Sequence, residues 1–462
     1  MANIETNGVD TISDVERTSS PWSLIQVFVG GNLSLSVMVF GWLTILYGLS
    51  WWEAVSAIVV GTTASAILVS FSSLLGWTAA TNNSVASGAF FGVRGRLVAS
   101  FIGVILCIQY VALTVWSGGD VLSESIARLT ESESTTASAS LSYLTISALI
   151  VGFALLGYRT LLQMNRWLVP AMLIFMAISI YAFAPNFDSS YAGTPDLYAL
   201  GEFGPTWFLA ALTAGAAGPI SYVTQTGDWA RYVRPDISRA QLVTSTFISM
   251  FVGLTIPTIF GAFIAVAAFD ENSLAAGFVA QAPTYLLLPI VAIGIVGSLG
   301  QGGINLYSMG LDLDAILPKL SRIQSTLIVA VVSTSLVFLG RFVFDAEEAV
   351  TNATLFITCL ATSWISVSMI GYVRARGQFN KADLQVFNTG KTGGVYWFSG
   401  GWNIKAILAW ALGSVAGIFG ISSVSYVGPI AEYFNGVDLS IPSAAVVGGV
   451  LYLVLVRSSE SH

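Results

Sequence analysis

Residues 215–235 read GAAGPISYVTQTGDWARYVRP: glycines and a proline, then hydroxyls, a phenol and an amide, then Asp228 and Arg231. Such a mixture could serve catalysis only with a nucleophile-base pair or a metal cluster, and the partners for either are missing. The one histidine is His462, the last residue, and Cys107 and Cys359 both lie in apolar runs and read as small buried hydrophobes. What remains is noncovalent chemistry: donors, acceptors and ring faces that hold a small polar molecule. Three other stretches carry the same mixture. They are GGNLSLS at 30–36, CIQYVALTVW at 107–116 and VGSLGQGGINLYSMG at 296–310.

The elements that position these residues follow from composition. The chain has 462 residues, 55% hydrophobic and 9% charged, with a mean hydropathy of +0.77, which marks a membrane protein. About twelve apolar runs approach the roughly 20 residues that cross a hydrocarbon core as a helix. They lie near 24–47, 54–75, 98–118, 141–157, 168–184, 206–225, 242–268, 284–309, 325–340, 353–372, 404–422 and 441–456. A barrel would alternate apolar and polar residues over about ten positions, and these runs do not.

Twelve spans put both termini on one side, and basic residues orient them. Sixteen of the eighteen Lys and Arg fall in the N-terminal tail, in the loops after even-numbered spans or at the C-terminus, while Arg128 and Arg341 lie opposite. The termini are therefore expected in the cytoplasm of a cell whose plasma membrane the chain spans many times. Residues 1–21 are polar and acidic, without the pattern of a cleaved signal, and read as a cytoplasmic tail. Residues 22–457 form a single transmembrane domain, since the longest loop, about 373–403, is too short for a second one. The net charge of −7 and the absence of basic clusters argue against nucleic acid. No obligatory protein partner and no cofactor are expected.

The polar stretches interrupt spans 1 and 6, five spans apart: Gly30, Gly31 and Asn32 in one, Gly215, Gly218 and Pro219 in the other. An unpaired backbone amide in hydrocarbon costs several kcal/mol, so a broken helix persists only against protein or a water-filled cavity. Paired breaks in two halves of a chain point to a transporter's central site built from two inverted repeats. For any single glycine, close helix packing is the alternative. A channel would want a continuous polar stripe, and an enzyme would need the catalytic groups the chain lacks, so an enzyme is not expected. A receptor finds no output surface in such short loops.

GDWARYVRP at 227–235 resembles the signature ending span 6 of the purine and cytosine permeases, the nucleobase:cation symporters. SGGWNIKAILAWALG at 399–413 resembles their Gly-Gly-x-Asn motif entering span 11, and GLSWWEAV at 48–55, FFGVRGRL at 90–97 and NLYSMGLDLDAI at 305–316 fit in place and spacing. The resemblance covers spans 1 to 11 and implies inverted repeats over about 22–185 and 205–373, with extra helices over about 404–457. It implies the all-α, leucine-transporter-like fold and import of a nucleobase, purine or cytosine-like, by cation-coupled alternating access, with allantoin, a hydantoin or a vitamin-like heterocycle as alternatives. A planar heterocycle calls for an aromatic platform and amide or hydroxyl partners. On the resemblance, the candidates are Gly31, Asn32, Gln109, Tyr110, Thr114, Gly218, Pro219, Ser221, Tyr222, Gln301 and Asn305. Gln109 is equally readable as an interhelical hydrogen bond, and Tyr110 is the expected platform.

A sodium ion in this fold would take carbonyls of span 1 and groups of span 8, here Gly30, Leu33, Ser298 and Gln301, although Gly300 occupies a position where the family offers a hydroxyl. The coupling ion is expected to be Na⁺ or H⁺. A proton would need a titratable group. Asp228 is the best placed by motif, with Asp120, Glu202 and Asp312 near other span ends, although an ion pair or clamp with Arg231 is the favoured reading of Asp228. Asp228, Arg231, Gly400, Gly401 and Asn403 are expected to be motif or gate residues.

Overall fold

The computed structural model describes residues 8–155, 158–270, 273–317, 320, 322–343 and 346–457. The tail's first seven residues, His462, Lys319 and the expected end of span 4 at 156–157 lie outside them. Among the described residues, eight helices are long and apolar enough to cross a membrane, and the pair Ser23–Asn32 and Leu35–Leu46, bent by 58°, makes a ninth. This pair is span 1, its halves called 1a and 1b. The interrupted run Phe203–Ala230 (span 6) and the shorter apolar helices Ile404–Phe419 (span 11) and Ser440–Arg457 (span 12) complete the twelve. The others are Trp51–Ala79 (span 2), Leu97–Leu129 (span 3), Thr136–Ala154 (span 4), Tyr158–Phe183 (span 5), Arg239–Ala267 (span 7), Thr284–Ile316 (span 8), Arg322–Phe342 (span 9) and Ala346–Arg374 (span 10).

Several helices outrun the apolar runs that announced them. Span 3 continues through SGGDVLSESIARL to Leu129, because a helix satisfies its own backbone wherever it goes and hydropathy registers only the part in hydrocarbon. Starts are marked by local chemistry. Ser50 with Glu53 and Ser238 with Gln241 form capping boxes at spans 2 and 7. Gly48 precedes the first of these at φ +88°, where a Cβ would sit 3.0 Å from the carbonyls of Thr194 and Leu197, so the GLSWWEAV motif is a tight turn into a capped helix. Two short helices, Asn83–Phe91 and Leu274–Gln281, lie where the sequence predicts only connecting segments.

Spans 1, 2, 6 and 7 pack together as a bundle, with 1b against 7 and 2 against 6. Span 3 lies along span 8, flanked by spans 4 and 9, while spans 10, 11 and 12 form a third group. Both breaks face the seam between the bundle and spans 3 and 8.

Span 1 leaves the helix at Leu33 (ψ 70°) and Ser34 (extended), after the glycines rather than at them. Gly30 and Gly31 stay helical and serve close packing. A Cβ on Gly31 would lie 2.1 Å from Ile304 of span 8, and one on Gly30 would lie 2.6 Å from Asn165 of span 5. Span 6 runs Phe203–Ala210, widens into a π-turn over Ala211–Ala216, returns to α-helix for Ala217–Ile220, unwinds over 221–225 and resumes at Thr226–Ala230. Pro219 brings no N–H to this region, which eases the break.

Candidate functional site

The two breaks meet through side chains. Asn32, the last residue of 1a, donates its amide to the Phe28 carbonyl at 2.7 Å, and its Oδ1 accepts from the Tyr222 hydroxyl at 2.8 Å. Tyr222 sits in the unwound part of span 6, with its hydroxyl 3.5 Å from Oε1 of Gln301 on span 8 and its ring edge-on to Phe28 at 5.5 Å. Asn305 donates to the Gln301 carbonyl at 2.9 Å, one turn further along. From span 3, the Tyr110 hydroxyl lies 3.5 Å from the Ala217 carbonyl and its ring 6.3 Å from Phe40. Thr114 donates to the Tyr110 carbonyl at 2.6 Å and lies 3.4 Å from Ser36, which pairs with Ser34 at 2.8 Å. Ser221 donates to the Gly218 carbonyl at 2.6 Å. All of these side chains are buried.

The structure therefore brings Asn32, Tyr222 and Gln301 together, with Asn305 adjoining, and sets Tyr110, Thr114, Ser221, Gly218 and Pro219 on the walls of the same seam. Gln109 is not among them. It donates to Thr354 of span 10 and lines a largely apolar cavity of about 300 Å³ between spans 3, 9 and 10, because its position is turned about 100° from Tyr110 on the helix. Ser298 departs from expectation as well. Its hydroxyl donates to the Gly294 carbonyl at 2.6 Å and fills the space beside Gly118 of span 3, away from Gly30 and Leu33. What faces the end of 1a from span 8 is glycine: Gly297 approaches the Leu33 carbonyl and Gly300 the Gly30 carbonyl.

Sequence reasoning passed over Phe28, Ser34, Ser36, Asn83 and Asn165. Asn165, wholly buried on span 5, stands 3.4 Å from the Val27 carbonyl and beside Gly30 and Gly300. An amide in an apolar run was the available signal. Asn83 had none, since the short helix that carries it is too brief to show periodicity.

The expected clamp between Asp228 and Arg231 does not form. The guanidinium of Arg231 donates to the carbonyls of Gly8 (2.7 Å) and Asp228 (3.3 Å) and reaches the hydroxyls of Tyr232 and Tyr307 (3.3 and 3.5 Å), whereas the Asp228 carboxylate makes no salt bridge with it and has Ser308 of span 8 beside it. The resumed helix turns the Asp228 carboxylate toward spans 3 and 8, and the arginine toward the tail. Asn83 donates to the Val223 carbonyl (2.7 Å) and to Thr226 (2.8 Å), taking up backbone that the unwinding frees.

The Gly-Gly-x-Asn motif is a clasp. Asn403 donates its side-chain amide to the Phe90 carbonyl and its backbone N–H to that of Phe91, both at 2.7 Å, while the Gly401 carbonyl accepts from Arg94 at 2.8 Å. Gly401 (φ +94°) and Gly400 (φ +64°) are in the left-handed region, and a Cβ on Gly401 would strike the Arg94 side chain at 2.7 Å. The motif thus joins the entry of span 11 to the turn before span 3.

An all-helical membrane protein whose two interrupted spans meet over buried polar groups is of the transporter class. The family model for permeases of cytosine/purines, uracil, thiamine and allantoin matches residues 11–442, and the chain belongs to that family. It is a transporter, not an enzyme. The Bacillus subtilis relative YxlA, which carries the assigned name of a purine-cytosine permease, is 23% identical over 471 residues, covering 98% of this chain and 96% of that one. An uncharacterized permease of Schizosaccharomyces pombe is 21% identical over 97% of this chain and 77% of its own length. Among solved structures, Mhp1, a nucleobase-cation-symport-1 family transporter, matches in a closed conformation with bromovinylhydantoin bound, at TM-score 0.76, 17% identity, and 99% and 96% coverage of the two chains. Its inward-facing conformation matches at TM-score 0.74 and 18% identity, with the same coverage. The fold is the leucine-transporter-like fold with two inverted repeats.

Proposed function

We propose that this chain imports a nucleobase or a related planar heterocycle across the plasma membrane by alternating access, coupled to a cation. The observation that carries this reading is the buried group Asn32, Tyr222 and Gln301, drawn from both breaks and from span 8 and walled by the rings of Phe28 and Tyr110. Side-chain amides and a phenol can exchange hydrogen bonds with a ring amide edge, and a ring face can stack on Tyr110 or Tyr222. Gly31, Gly218, Pro219, Ser221, Thr114 and Asn305 shape the pocket in this reading, while Gln109 ties span 3 to span 10. Allantoin and hydantoins present a similar edge, and binding of bromovinylhydantoin by Mhp1 keeps them in view.

The bundle of spans 1, 2, 6 and 7 is proposed to rock against the rest, with residues 1–21 as a cytoplasmic tail and 22–457 as one transmembrane domain. The glycines of span 8 and the turned-away Ser298 favour a proton over sodium as the coupling ion. A thermal-shift panel on the purified protein tests the reading, using cytosine, uracil, hypoxanthine, allantoin and benzylhydantoin, each with sodium, with potassium and at two pH values. One heterocycle is expected to stabilise the protein without requiring sodium. Stabilisation by none of them would refute the heterocycle reading, and a strict sodium requirement would refute the proton.

A further inference from the structure

Between the candidate pocket and the side that carries the N-terminal tail lies a second buried polar group. Span 8 contributes Ser308 and Asp312, one turn apart; span 3 contributes Ser100, Gly103 and Cys107; span 6 contributes Thr224 and Asp228; and the short helix Asn83–Phe91 contributes Ser84. Asp228 is 1% and Asp312 2% exposed. The Ser84 hydroxyl donates to Oδ1 of Asp312 at 2.6 Å, the hydroxyls of Ser100 and Ser308 stand beside the carboxyls of Asp312 and Asp228, and among the described residues neither carboxyl forms a salt bridge. A Cβ on Gly103 would lie 1.9 Å from Oδ2 of Asp312 and 3.3 Å from the Thr224 hydroxyl, so the carboxylate occupies the room that a side chain on span 3 would fill. The two carboxyls are close enough for their charges to interact, and Ser308 stands beside Asp228. The seven-residue step along span 8 from Asn305 to Asp312 puts the group about 10 Å beyond the pocket at a rise of roughly 1.5 Å per residue.

We propose that Asp228 and Asp312 share one proton, and that this pair is the coupling site, a deepening that rests on the transport reading above. Charge balance carries it. The charged and titratable groups facing the pair are Arg231 from span 6, Cys107 from span 3, and Tyr307 and Tyr232 around the guanidinium. Arg231 offsets one carboxylate, and a second would stand uncompensated in a buried site, which strongly disfavours its charged form. A proton removes that charge: an O–H forms on one carboxyl and donates to its neighbours. Loss of the proton toward the tail side leaves two like charges between the ends of spans 3, 6 and 8. Their repulsion favours separation there, which opens the pocket to that side.

The test uses the full chain reconstituted in lipid vesicles and needs no substrate. Infrared difference spectra between acidic and alkaline pH are expected to show a protonated-carboxyl component that Asp312→Asn and Asp228→Asn each remove and that Ser84→Ala shifts in frequency. If the aspartate variants do not fold, the Ser84→Ala shift decides. A spectrum unchanged by the variants that do fold would overturn the proposal. A second arm measures uptake of hypoxanthine, uracil and allantoin into vesicles with and without an alkaline interior. Several-fold stimulation in the wild type, falling to about onefold in Asp312→Asn, supports coupling through the pair, and equal stimulation in both overturns it. If the wild type takes up none of the three, the transport reading fails for these substrates, and the infrared result alone decides the proton site.

Discussion

Tyr222 holds the two breaks together through one hydroxyl. Removing it in Tyr222→Phe leaves Oδ1 of Asn32 buried without its donor, which costs the folded protein about 1 to 3 kcal/mol, and if the same hydroxyl also bonds the bound heterocycle its loss weakens Kd by a comparable roughly 5- to 150-fold. The expected outcome is weaker heterocycle binding in a protein that still folds, measured by titration of whichever compound stabilises the wild type. Unchanged affinity would place the ligand elsewhere. Asp228 makes a related point about single residues: Arg231 acts on its carboxylate through charge but not through a hydrogen bond, because the guanidinium spends its donors on Gly8, Tyr232, Tyr307 and the backbone carbonyl of Asp228.

Among the elements, span 6 is the one most altered by its sequence, passing from α-helix through a π-turn to an unwound segment and back. Gly218 lies where it crosses span 7, and a Cβ there would already be 3.0 Å from Leu254. Gly218→Leu should therefore abolish uptake while membrane insertion, followed by expression and size-exclusion behaviour, stays intact. The link between spans 11 and 12 has its own brace. Asp438 accepts backbone N–H groups of Ser422 and Ser440, each at 2.8 Å, yet burial outweighs those bonds and pushes its carboxyl up to about 6 from an ordinary 3.8. The folded state then binds a proton more tightly than the unfolded one, so this contribution is fully present below pH of about 4 and is lost as pH rises through about 6. The melting temperature of Asp438→Asn should lack that component of the acid-side dependence when compared with wild type.

For the whole molecule, the placement of its basic residues is an orientation claim that can be tested directly. Cys107 and Cys359 are buried, so a cysteine introduced at an exposed position reports alone. Glu131→Cys should react with a membrane-impermeant maleimide in intact cells, and Lys391→Cys only after the membrane is opened, since both positions are exposed but lie on opposite sides of the expected topology. The reverse pattern would invert the protein and, with it, the side to which the carboxyl pair releases its proton.

The class, the approximate number of spans and the site of both interruptions were legible in the chain, because burial in hydrocarbon imposes length and composition on every crossing segment and tolerates broken helices only at a protected site. The family motifs were legible too, since their glycines answer to local backbone demands such as the left-handed turn at Gly401. What the residues do to one another was decided by tertiary structure. Adjacent positions on a helix diverge by about 100°, so Gln109 and Tyr110, neighbours in the chain, look into different cavities. Ser298 faces span 3 and not the break for the same reason. Asp312 of span 8 and Thr224 of span 6, 88 residues apart, come together only where both close on Gly103 of span 3, with Asp228 one turn beyond Thr224, and no local pattern records that approach.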